Sequence, residues 1–117
     1  MLEYKIKPIT YGSGKVMYVP VFEDRRLDLL AHFMSNDYFL FRKEIEEILG
    51  RLDSGGFNAT EFAGNSCRVS LGWKTCMLEA TVDGIDVGIV CVVPTEDFRS
   101  LLRDWERDLE TLKKVVV

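Results

Sequence analysis

Asp83-Gly84 is the feature that most narrows what this chain can fold into. It separates two apolar, strand-like runs, "KTCMLEATV" and "IDVGIVCVV". A two-residue Asp-Gly link between such runs specifies a tight antiparallel hairpin, because Gly tolerates the positive φ that the turn requires. Directly afterwards, in "PTEDFRSLLRDWERDLETLKK", the apolar period changes from that of a strand to that of a helix. Phe98, Leu101, Leu102, Trp105, Leu109 and Leu112 fall on one helical stripe. Thr95 stands at the N-cap position, Glu96 and Asp97 in the positive first turn, and Lys113-Lys114 at the negative end. Glu110 and Lys114 form a favourable i,i+4 pair. The "VVV" tail reads as a fraying end or a short additional strand.

The N-terminal half also reads as strands followed by a helix. In "MLEYKIKPIT" Leu2, Tyr4 and Ile6 share one parity, and Glu3, Lys5 and Lys7 take the other. "YGSGK" supplies a turn and "VMYVPVF" a second strand, with Pro8 and Pro20 marking edges or bulges. Residues 24–36 read either as a short helix or as an irregular apolar segment. In "SNDYFLFRKEIEEILGRLDSGG", Phe41, Ile45, Ile48 and Leu52 form a helical stripe. Asn36 or Asp37 is its expected cap, and Gly55-Gly56 its expected stop. Gly64-Asn65 signals a turn between further strands. The expected fold is a single α+β domain over residues 1–117. Its mostly antiparallel sheet has five to six strands, and two main helices pack on one face, in the order ββ-α-βββ(β)-α.

Composition narrows the partners. The net charge is −4 and the pI about 5.0, which argues against nucleic acid or an anionic membrane surface, since both demand a basic footprint. No apolar run reaches the roughly 18 to 20 residues that span a bilayer. The N-terminus lacks the apolar core of a signal peptide, and three cysteines make an odd number for a disulfide framework. A cytoplasmic protein is expected.

Parity also decides what the cysteines are for. Cys67 shares a strand face with Val69 and Leu71; Cys76 with Leu78, Ala80 and Val82; Cys91 with Ile85, Val87, Ile89 and Val93. Each thiol therefore takes a core slot, where cysteine behaves as a small hydrophobe. A zinc site needs close Cys or His pairs, and the only histidine, His32, sits in the apolar run "LLAHFM". "YGSGK" lacks the full phosphate-loop pattern and precedes a strand. No catalytic, cofactor-binding or metal-binding residues are expected.

The polar surface points instead to binding. Glu44, Glu46 and Glu47 on the middle helix, and Glu79, Asp83 and Asp86 around the second hairpin, are candidates for an acidic docking surface. Tyr38, Phe39 and Phe41 cannot all face the core, so one is expected to be exposed; Tyr38 is taken as the candidate anchor. Trp73, beside Gly72 at a turn, is the second. Trp105 belongs to the core stripe.

The stretch "EFAGNSCRVSL", two strands, and then "PTEDFRSLLRDWERDLETL" resemble a family of small bacterial immunity proteins. These accompany polymorphic toxins, including those of contact-dependent growth inhibition systems. The matching residues are Gly64-Asn65, Pro94-Thr95, Phe98, Leu101-Leu102 and Trp105, all of them fold-determining and none chemical. They cover roughly the last half of the chain; the first 50 residues carry no part of the resemblance. The resemblance implies a non-enzymatic cytoplasmic inhibitor that binds a cognate toxin domain, expected to be a basic one such as a nuclease. A small acidic chaperone or adaptor for a secreted effector is the alternative.

Overall fold

Tyr4–Thr10 (β1) and Val16–Phe22 (β2) form an antiparallel hairpin closed by the Tyr11 to Lys15 turn. Pro8 and Pro20 lie inside this ladder, opposite Tyr18 and Ile6. A two-stranded sheet has two free edges, so a proline can sit there with its missing N–H directed outward. A short 3-10 turn, Arg25–Leu27, leads into α1 (Asp28–Asn36), and only Asp37 separates α1 from α2 (Tyr38–Asp53). Gly55, at φ 99°, follows α2 in the left-handed conformation that ends helices. Then come β3 (Thr60–Ala63), β4 (Cys67–Leu71), β5 (Thr75–Val82), β6 (Ile85–Pro94) and α3 (Thr95–Val115).

This is a computed structural model. It describes residues 2–55, 59–82 and 85–115, apart from the side chains of 82, 85, 86 and 113–115. The Asp83-Gly84 turn, Gly56 and the last two residues of the "VVV" tail lie outside the described residues.

The fold is α+β, with six strands among the described residues, all paired antiparallel. They form two sheets, β1-β2 and β3-β4-β5-β6, where the sequence suggested one. The reason lies in residues 24–36, which form a 3-10 turn and a third helix. α1 touches β2 as well as β5 and β6, so it bridges the two sheets.

On the larger sheet alternate residues are buried, namely Cys67, Val69, Leu71, Cys76, Leu78, Cys91 and Val93, whereas Val87 and Ile89, expected on the same face as Cys91, are exposed because the β5–β6 register shifts opposite Ala80. The buried residues meet Leu30, Phe33 and Met34 of α1, Ile45 and Ile48 of α2, and Phe98, Leu101, Leu102 and Trp105 of α3 in one core. Arg68, Met77 and Val92, of the opposite parity, are exposed. The helices thus cover one face of this sheet and leave the other bare. Phe33 and Phe98 pack with ring centres 5.8 Å apart, and Tyr4 meets Trp105 edge-on at 5.8 Å.

The Trp105 indole N–H donates to the Met34 carbonyl at 3.0 Å. That carbonyl lies in the last turn of α1, where carbonyls lack intrahelical partners. Trp105→Phe therefore removes a buried donor and strands an acceptor. Urea denaturation is expected to show a loss of about 1–3 kcal/mol; an unchanged midpoint would contradict this role.

Candidate functional site

The rotation of α2 decides which of its side chains can bind anything. Ile45 and Ile48 point into the core, and Phe41 and Leu52 pack beside them. Tyr38 is three residues before Phe41, in phase with that stripe, and it is only 5% exposed. Its hydroxyl donates to Glu106 Oε1 of α3 at 2.8 Å. Burial, and then this hydrogen bond to a carboxylate, raise the phenol's pKa. Tyr38 is thus a buried strut and not the exposed anchor expected of it. Phe39 and Leu40, out of phase with the stripe, take that place at 48% and 66% exposure. The phase relation to Phe41 was the available signal.

Leu40, Glu44 and Glu47 follow at i, i+4 and i+7 along the outward face of α2, with Phe39 on its flank. Glu44 and Glu47 are exposed and engage no ion pair among the described residues. Lys43 and Arg51 stand on the same face, so its charge is mixed. Glu46 differs: Arg42 Nε lies 3.2 Å from it and 2.8 Å from Glu106.

The second expected acidic set behaves otherwise. Glu79 sits opposite Arg68 in the β4–β5 ladder, and the two are paired at 3.0 Å. Asp83 lies outside the described residues, as does the side chain of Asp86. Glu79 is on the sheet face turned away from the helices. Glu79 is therefore on the opposite side of the sheet–helix stack from Glu44 and Glu47.

Trp73 is 52% exposed in the β4–β5 turn, with the Lys74 ammonium 4.7 Å from its ring centre. Gly72 N–H donates to Thr75 across this turn at 3.0 Å. Thr95, the expected cap of α3, directs its hydroxyl to the Gly72 carbonyl at 2.6 Å, and its N–H donates to the Lys74 carbonyl at 2.8 Å. The start of α3 thus braces the turn that presents Trp73.

Asp37 was expected only as a helix cap. It does stand at the N-cap position of α2, yet its side chain makes no capping bond. Fully buried, its Oδ2 instead accepts from Ser66 N–H at 3.1 Å, from Ser66 Oγ at 2.9 Å and from Cys67 Sγ at 3.7 Å. Oδ1 has no hydrogen-bond partner among the described residues. A Cβ on Gly64 would come within 2.7 Å of Oδ2, so the Gly64-Asn65 turn depends on glycine for this close approach. Asp37 pins the α1–α2 joint to the β3–β4 turn and so sets the direction in which Phe39 and Leu40 project. Its partner is 29 residues away, beyond the reach of local pattern.

Cys67, Cys76 and Cys91 are free and buried, in the core positions that strand parity assigned them. Among the described residues, no group of three or more His, Cys, Asp or Glu side chains converges to hold a metal. His32 is exposed, with its Nδ1 3.3 Å from Asn36 Nδ2. No described helix is long and apolar enough to cross a membrane. No protein-family model, curated protein or solved structure matches the chain.

Burial, with the Asp37 charge next in size, pushes the Cys67 thiol from 9.0 up to about 12; burial also raises Cys76 and Cys91. The folded state therefore favours the neutral thiol. That contribution to stability is complete below the unfolded pKa of 9.0 and is lost as pH rises toward about 12. Denaturant midpoints are expected to fall with pH above this lower value. Alkylation by iodoacetamide is expected only after unfolding; rapid modification of a native thiol would contradict the burial.

Proposed function

We propose that this chain is an immunity protein, a binding module that neutralises a cognate toxin domain through the outward face of α2. The observation that carries the reading is the exposed pair Phe39 and Leu40, at 48% and 66%, beside the exposed carboxylates Glu44 and Glu47. Large apolar side chains in such a setting, rimmed by charge, suit the anchor-and-rim anatomy of protein interfaces. The resemblance of the C-terminal half to immunity proteins supports the same class.

The electrostatics favour a basic toxin domain, although less strongly than a wholly acidic face would. Glu46 and Glu79 are already matched by arginines, and Lys43 and Arg51 dilute Glu44 and Glu47. The net charge of −4 still draws a cationic partner at long range. Charge therefore contributes mainly to the association rate, and the apolar pair holds the complex.

The test is calorimetric titration against the toxin domain encoded immediately upstream. We expect tight 1:1 binding that blocks the domain's activity. Phe39→Ala with Leu40→Ala is expected to weaken it by about 10- to 100-fold or more, as loss of hot-spot anchors does. Glu44→Lys with Glu47→Lys should chiefly slow association and flatten its salt dependence. No binding would overturn the reading. Binding only to an unfolded segment of a secreted effector would favour the adaptor alternative.

A further inference from the structure

We infer that the free edge of β6 is the surface through which two copies of this chain pair, joining their four-stranded sheets into one continuous antiparallel sheet. This does not rest on the immunity reading, and it uses a different surface from α2.

β6 is the last strand in the order β3-β4-β5-β6. A bare edge is a template for another strand, and proteins ordinarily blunt it with charges, prolines or short length. The other edges carry such devices. β3 has four residues and an exposed Glu61, β1 carries Lys5, Lys7 and Pro8, and β2 contains Pro20. β6 runs for ten residues, and "VGIVCVV" over residues 87–93 holds neither a charge nor a proline. Val87, Ile89, Val90 and Val92 are 47%, 60%, 48% and 59% exposed. The ladder irregularity opposite Ala80, with Gly88 at φ 78°, confines the blunting to the start of the strand. Residues 90–93 are left open.

Charge selects the occupant. The groove beside this edge is walled by Leu2 and Leu27, and among the described residues its only charged lining residues are Asp24 and Arg26. These are one of each sign and paired at 2.8 Å, with the Arg26 side chain almost wholly in solvent and that of Asp24 less than half so. Such a rim has no net charge to offer a basic toxin. It is self-complementary: a two-fold axis through the edge can set Arg26 of each copy beside Asp24 of the other. The same axis runs β6 antiparallel to its mate. Val92, which faces Met77 across the β5–β6 ladder, and Val90 would then join their counterparts in one apolar band on the uncovered sheet face.

Sedimentation velocity of the full chain tests this. The expected mass is twice 13.4 kDa at micromolar concentration, falling to the single-chain mass for Val90→Lys and for Val92→Lys. Both positions are exposed, so the unfolding midpoint and circular dichroism should be retained in each variant. Glu61→Lys, on the opposite edge, should remain a dimer. A wild-type monomer up to its solubility limit would overturn the proposal, as would a dimer that survives both lysine variants. A monomer whose binding to the upstream-encoded domain is lost in Val92→Lys would also overturn it, and would give the edge to the toxin instead.

Discussion

One turn of α3 holds the molecule together. Trp105 enters the core edge-on to Tyr4 of β1 and donates its indole N–H to the end of α1. Next to it, Glu106 accepts from Tyr38 of α2 and Asp108 accepts from Tyr4 at 2.6 Å. Residues 105–108 are thus fastened to the hairpin and to both other helices. Burying the indole, a ring of about 150–250 Å2, is worth roughly 4–6 kcal/mol before entropy is counted. The hydrogen bonds then set orientation, since each replaces one made to water and yields little net energy. Arg99 and Asp53, bidentate at 2.6 and 2.9 Å, tie the first turns of α3 to the end of α2 at the surface.

Because that turn gathers every helix on one side of the large sheet, the outer surfaces are sharply divided. The sheet's far face and the β6 edge stay uncovered, and α2 turns Phe39 and Leu40 to solvent. Asp37 holds this presentation steady: its carboxylate anchors the joint between α1 and α2 to the β3–β4 turn. A rigid joint beneath exposed apolar side chains lowers the ordering cost of binding.

Much of this was legible where the signal was periodic. Alternation placed Cys67, Cys76 and Cys91 in the core, and the 3.6-residue stripe placed Phe98, Leu101, Leu102 and Trp105. What was missed depended on distance along the chain. The split into two sheets follows from where α1 docks, and no local pattern in residues 24–36 encodes that. Asp37 looked like a cap because its partner, Ser66, lies on a turn formed much later. Tyr38 is a different case: three neighbouring aromatics could not all face the core, and only its phase with Phe41 told which of them did. Its hydroxyl reaches Glu106, 68 residues away. Glu46 and Glu79 read as free acids, since the ion pairs they form depend on rotamer and on strand register.

The most direct test of the account is amide hydrogen exchange of the chain alone and in complex with the upstream-encoded domain. Exchange reports which backbone segments gain protection on binding. The account predicts added protection centred on residues 38–47, with little change in β3 and β4. Protection confined to the uncovered sheet face, with α2 exchanging as in the free protein, would contradict it.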